Sequence, residues 1–179
     1  MRLNNLSGRH VIFLSFLLIA AAGGLAYSNS FSVPFIFDDI RAIVENPSIR
    51  EPGDLEQVLT GPPDSSVRDR PVVGLTLAFN YALGGLAVGG YHLFNLAVHI
   101  LAGLTLFGIV RRTLLAPRLP GRFQESSTPL ALAISLIWLV HPLQTESVTY
   151  IIQRSESLAG FFYLFTLYSF ILAYASRQK

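Results

Sequence analysis

Apolar residues gather into four long runs, and the polar segments between them carry shorter periodic signals. Val11 to Tyr27 is one apolar run of about 17 residues, roughly 25 Å as a helix and at the lower limit for crossing a bilayer. A cleavable signal peptide competes with this reading, because the small residues Ala20 to Gly24 follow an apolar core. The apolar character through Tyr27 and the spans that follow favour a retained helix. Further spans are predicted at about 91–110, 129–151 and 158–175, with a loop over 28–90 between the first two. In that loop Ile40, Ile43 and Val44 give a short helix one apolar face, which Asn46-Pro47 stops. Leu55, Val58 and Leu59 repeat the spacing, with Asp54 as N-cap, Gln57 at the capping-box position and Gly61-Pro-Pro63 as the break. Pro71 to Leu83 is apolar but too short to span, and reads as interfacial or re-entrant.

The third span carries a defect. Leu130 to Val140 covers only about 16 Å, after which His141-Pro-Leu-Gln-Thr-Glu146 intervenes. Pro142 removes a backbone donor and should kink the helix there. Polar groups at that depth face a bundle interior or a wet cavity, and are functional candidates.

Composition supports a membrane protein: 51% of the 179 residues are hydrophobic and 13% charged, and the mean hydropathy is +0.49. Soluble domains carry about a quarter charged residues. The fold class is therefore all-α, a polytopic membrane bundle of about four transmembrane helices, forming a single membrane domain over 1–179. Its exoplasmic loop would carry the short amphipathic helices. Four spans place Arg2, Arg9, Arg111, Arg112, Arg118, Arg122, Arg177 and Lys179 on one side, against Glu125 alone. The other side holds Arg41, Arg50, Arg68, Arg70 and Arg154 with the remaining acids. The positive-inside rule makes the first side cytoplasmic and the 28–90 loop exoplasmic. No cysteine is present, so disulfides and thiolate metal sites are excluded. Gly-rich phosphate loops, Ser–His–Asp and HExxH patterns and nucleic-acid motifs are absent, and the spread of the basic residues gives no nucleic-acid partner.

Candidate chemistry concentrates on the exoplasmic side. Asp38 and Asp39 follow an aromatic run just outside the first span, and Gln153-Arg154-Ser-Glu156 follows the third. Asp39 could instead serve only to cap the helix starting at Ile40, and Arg154 with Glu156 could be an interfacial ion pair. His92, Asn95 and His99 share a helix face, but the two histidines lie about 10 Å apart along the axis. That separation favours hydrogen bonds between helices over a shared metal.

Phe37-Asp38-Asp39, Ile43-Val-Glu-Asn-Pro-Ser-Ile49, Arg70-Pro71, Gly90-Tyr-His92, Asn95, His99, His141-Pro142, Thr145-Glu146, Val148 and Arg154 occur in a specific order and spacing. Together they resemble the N-terminal region of the transmembrane and tetratricopeptide-repeat protein O-mannosyltransferase family, most of all its bacterial relatives. More distantly, Phe-Asp-Asp is similar to the Phe-Asp-Glu element of the protein O-mannosyltransferases, both groups being multi-spanning GT-C glycosyltransferases. The resemblance implies transfer of a mannose-like sugar from a polyprenyl- or dolichyl-phosphate donor in the membrane lipid to a protein or glycan hydroxyl. By the same resemblance Asp38 is the favoured base and Asp39 a supporting or metal-contacting carboxylate, with a divalent metal as the candidate cofactor. His141, Glu146, Gln153 and Arg154 would bind the donor, Arg154 and His141 holding the departing lipid phosphate. The expected location is a bacterial inner membrane with the acidic loop periplasmic. Family members have many more spans and often a repeat array, whereas this chain shows about four spans and no 34-residue repeat. It is therefore expected to be a truncated part of the enzyme. The competing readings are a non-catalytic membrane assembly or binding module, an inert fragment and, more weakly, a small transporter.

The charge pattern makes a direct prediction. Single cysteines at Ser65 and Ser127 should respond oppositely to an impermeant thiol reagent in intact cells, residue 65 labelling and residue 127 not. Labelling of both, or of 127 alone, contradicts the four-span topology.

Overall fold

The computed structural model describes residues 8–51 and 53–177; Arg2 and Lys179, two of the charges in the topology argument, lie outside the described residues. The described residues are helical and contain no strand. The helices are α1 (Gly8–Ala26), α2 (Leu55–Thr60), α3 (Pro71–Gly84), α4 (Val88–Leu114), α5 (Gly121–Glu125), α6 (Ser127–Leu139), α7 (Thr145–Thr149) and α8 (Arg154–Arg177). Three segments are long and apolar enough to cross a membrane: α1, α4 and Ile151–Arg177, which contains α8. A fourth is a broken pair, α6 and the Pro142–Thr149 segment, bent by 55°.

The break follows from Pro142, which has no N–H to donate and disfavours helical backbone at His141. Helical bonding ends with Val140 N donating to Leu136 O (3.1 Å), and a tighter turn begins with Gln144 N on His141 O (2.9 Å). Two other boundaries differ from the sequence expectation. Helix α4 starts at Val88 rather than about 91, because Gly89 and Gly90 sit inside its first turn. The break before it falls at Gly85, whose φ of +57° ends α3. Helix α8 starts at Arg154, about four residues earlier than expected.

Contacts divide the chain into two compact units. One comprises α1, His99–Gln144 and the chain from Gly160 onward. Its core is Ile19, Phe107, Ala131 and Leu139, flanked by partly buried Leu104, Leu136 and Trp138. Glycines allow close approach, as expected where helices associate without a hydrophobic driving force. A methyl on Gly103 would lie 2.9 Å from Leu139 Cδ1, and one on Gly108 2.8 Å from the Tyr168 ring. His99 Nε2 meets Leu139 O at 2.8 Å and its ring stacks on Trp138, so α4 supplies a partner to a carbonyl at the broken end of α6.

The second unit comprises Tyr27–Val98 and Thr145–Ala159. The Ile40–Val44 turn is widened, with Glu45 N donating to Ile40 O at 2.8 Å. It ends where Asn46 bonds back to Ala42 O and accepts from both Ser48 N and Ser48 Oγ. Asp54 caps α2 as expected, accepting from Gln57 N at 3.1 Å. The Gln57 amide turns to the Asp54 carboxylate (2.7 Å), where a capping box would place it on the Asp54 backbone. Helix α2 packs on α3, where Val58, Val73 and Leu77 are buried. Gly74 is the contact point, since a methyl there would run into the Val58 carbonyl.

Ser127 is 4% exposed at the start of α6, so the exposed Glu125 is the better position for the cysteine proposed above. The tight α2–α3 approach predicts that Gly74→Ala lowers stability in detergent by about 1–3 kcal/mol. Gly24→Ala, with nothing within 4 Å of the new methyl, should be neutral or mildly stabilising. Equal melting temperatures for the two variants would contradict this packing.

Candidate functional site

The polar residues of the second unit converge on the segment between α7 and α8. Arg154 is its hub and is fully buried, 0% exposed at the first turn of α8. Its Nε donates to Asn95 Oδ1 (3.0 Å), Nη1 to Thr76 Oγ1 (3.2 Å) and Nη2 to Tyr91 O (3.3 Å). The guanidinium lies over the Phe94 ring at 4.5 Å and near Tyr91 at 5.7 Å. The alternative pairing with Glu156 is not made: Glu156 is exposed, and the ion pair seen among the described residues is Arg68–Asp69. The burial of this guanidinium is offset by neutral acceptors and aromatic faces that fill its donors.

Asn95 holds that arrangement in register. Its Oδ1 accepts from Arg154, while its Nδ2 donates to Ile151 O at 3.1 Å and reaches Val148 O and Tyr150 O at 3.4 and 3.5 Å. One turn earlier, His92 Nε2 meets Val33 O at 3.0 Å, and Nδ1 has no partner among the described residues. The face of α4 shared by His92 and Asn95 thus ties down two irregular segments, 27–39 and 145–153.

The adjacent carboxylates occupy opposite environments. Asp39 is 1% exposed, and it does not cap the Ile40 turn with its side chain. Its Oδ2 accepts from Ile36 N (3.1 Å) and its Oδ1 from Ile152 N (2.9 Å), clamping the acidic loop to the turn before α8. Burial pushes the Asp39 carboxyl up from its ordinary range, opposed by both backbone donors and by the His92 and Arg154 charges. Asp38 is exposed, and its carboxylate makes no hydrogen bond or ion pair among the described residues; its backbone N–H donates to Tyr150 Oη at 3.0 Å. Phe37, just before it, is 83% exposed with φ +45°, a conformation that a bulky side chain rarely adopts.

Glu146 is exposed on α7 and Gln153 is half-buried beside Arg154, both in this unit. His141 belongs to the first unit, where it is exposed and its Nδ1 accepts from Leu143 N at 3.2 Å. Two residues without an assigned role also stand at this segment. Tyr150 holds the Asp38 amide, and Arg70, exposed, donates from Nη1 to Ser155 Oγ at 3.1 Å. Arg70 is signalled in the sequence only by its position before Pro71; nothing local marks Tyr150. As for a metal, no group of three or more His, Asp or Glu side chains able to hold one occurs among the described residues. Both Asp39 oxygens accept backbone amides, and Asp38 is the carboxylate of the pair left unengaged among the described residues.

The chain is 34% identical to the protein O-mannosyl-transferase Tmtc3 of Drosophila melanogaster, in an alignment that covers 88% of its length. It is 31% identical to the Drosophila protein O-mannosyl-transferase Tmtc1 over 89% of its length, and 30% identical to human protein O-mannosyl-transferase TMTC3 over 86%. It covers 19%, 18% and 16% of those proteins, so it spans less than a fifth of these curated relatives. No protein-family model matches the chain, and no solved structure matches it.

The two aspartates should separate in stability measurements. Asp39→Asn places an amide N–H against a backbone N–H of Ile36 or Ile152 and should destabilise by about 1–3 kcal/mol, whereas Asp38→Asn should leave the melting temperature unchanged. Because the folded-state value of Asp39 is raised, its contribution to stability is fully present below the unfolded carboxyl value of about 4 and is lost as pH rises through the folded value. Asp39→Asn should flatten that part of the melting profile. An unchanged profile and stability would contradict the clamp.

Proposed function

Because this chain belongs to the family of protein O-mannosyl-transferases that includes Tmtc3 and Tmtc1, we propose that it forms part of a membrane glycosyltransferase. The reaction moves a mannose-like sugar from a polyprenyl-phosphate donor to a protein or glycan hydroxyl on the exoplasmic side. The observation that carries this reading is the contrast within the acidic pair: Asp39 is buried and clamped, and it holds the unengaged Asp38 carboxylate at the surface.

In this mechanism the acceptor hydroxyl, a poor nucleophile, gives its proton to the Asp38 carboxylate as its oxygen bonds to the anomeric carbon. The bond from that carbon to the phosphate oxygen breaks, and the polyprenyl phosphate leaves with the electron pair. Arg70 is the exposed cation tied to the same segment and is assigned the phosphate contact. Arg154 is sealed from solvent, so its role is to stabilise the anion through its field and to position the 150–155 backbone. Glu146 and Gln153 line the same segment as donor-side residues, and no step is routed through a metal. The charge asymmetry supports an exoplasmic location for this unit, on the periplasmic side if the membrane is a bacterial inner membrane.

Asp38→Asn in the complete enzyme should lower transfer about 10²- to 10⁴-fold while donor-lipid binding persists. Arg70→Gln should weaken donor binding as well. Near-wild-type transfer by both Asp38→Asn and Asp39→Asn would remove the acidic pair from the chemistry and leave a non-catalytic assembly module as the reading of this chain.

A further inference from the structure

The first unit contains a groove of about 370 Å³ that none of the chemistry above uses. Its walls come from α1, α4 and α8, with Ile12, Phe16, Leu104 and Phe165 among the apolar lining. Leu101 and Phe165 are about half exposed, so the groove opens laterally along apolar surface, where a lipid tail can enter. One end is different: Arg111 and Arg112, in the last turn of α4, line it together with Tyr168.

The arginines have a plain structural role to play against the negative end of the α4 dipole. Their bonding goes further than that role requires. Arg111 gives its Nε to Thr128 Oγ1 at 3.0 Å, which fixes the guanidinium plane. Neither of its Nη groups has a partner, and Arg112 makes no ion pair or hydrogen bond, among the described residues. A fixed fork with both amino groups open suits the paired oxygens of a phosphate. Gly108 contributes by having no side chain, which lets the Tyr168 ring lie against α4 at the same end.

We propose that this groove binds one anionic phospholipid, its acyl chain along Phe16, Leu101 and Phe165 and its phosphate on Arg111 and Arg112. Basic pockets between transmembrane helices on the positive side of a membrane select anionic headgroups in this way. The charge placement commits the site to a membrane lipid over free phosphate, because the apolar groove and the cations form one continuous surface.

Native mass spectrometry of the full chain in neutral detergent tests this, with phosphatidylglycerol and phosphatidylcholine of identical acyl chains as competing probes. One phosphatidylglycerol should be retained with a preference of roughly tenfold or more, and Arg111→Gln/Arg112→Gln should abolish that preference. Arg118→Gln/Arg122→Gln, which removes two charges outside the groove, should keep it. Leu101→Trp should displace the bound lipid without changing charge. Absence of a headgroup preference, or its equal loss in both double variants, would overturn the site in favour of diffuse attraction. If the Gln pair fails to fold, Arg111→Lys/Arg112→Lys retains the charge and removes the fork; full retention of preference in that variant would overturn the bidentate grip.

Discussion

Backbone carbonyls freed inside an apolar environment must find donors, and the polar stripe of α4 answers that constraint. Each break in regular structure leaves carbonyls without helical partners, at a cost of several kcal/mol apiece in hydrocarbon. His92, Asn95 and His99, spaced along one face, meet carbonyls at Val33, at Ile151 with its neighbours, and at Leu139. In the second unit the same stripe also fixes Arg154, because an Asn95 amide that donates to carbonyls must offer its oxygen to the guanidinium. The irregular segments around Val33 and 148–151 persist because one regular helix supplies the partners they lack.

The apolar runs were legible because length and hydrophobicity decide membrane spans with little help from tertiary context. Pro142 announced the broken span, and Asp54 announced the α2 cap, since both effects act within a turn of the residue. Asp39 was not legible in the same way. Its position before Ile40 is also that of an N-cap, and the donor that distinguishes the roles, Ile152 N, lies 113 residues away in the chain. Arg154 had a carboxylate two residues on in Glu156, yet its partners are uncharged groups from α3 and α4. Local rules offered the nearest opposite charge as one partner, whereas burial favours whichever acceptors remain when water is excluded. Tyr150 gave no signal, because its hydroxyl acts on a backbone amide from a distant loop.

Adjacent residues of the same type thus occupy opposite environments, one buried and bonded and one exposed. Asp39 spends both oxygens on backbone donors, which fixes the direction of the chain at Asp38 to within the tolerance of two hydrogen bonds. Phe37, held at positive φ on the other side, constrains the same peptide from the opposite direction. The backbone that carries the Asp38 side chain is thus fixed from both sides, while its carboxylate stays unengaged among the described residues.

The sealing of Arg154 also determines how the unit senses its surroundings. Mobile ions weaken the attraction between exposed charges over about a Debye length, so the pull of Arg70 on an anion fades as salt is added. No ion can approach a guanidinium whose every face is covered by protein, and the medium around it screens poorly. Its potential is in effect a permanent property of the fold, set when α8 docks and largely indifferent to the ionic strength outside.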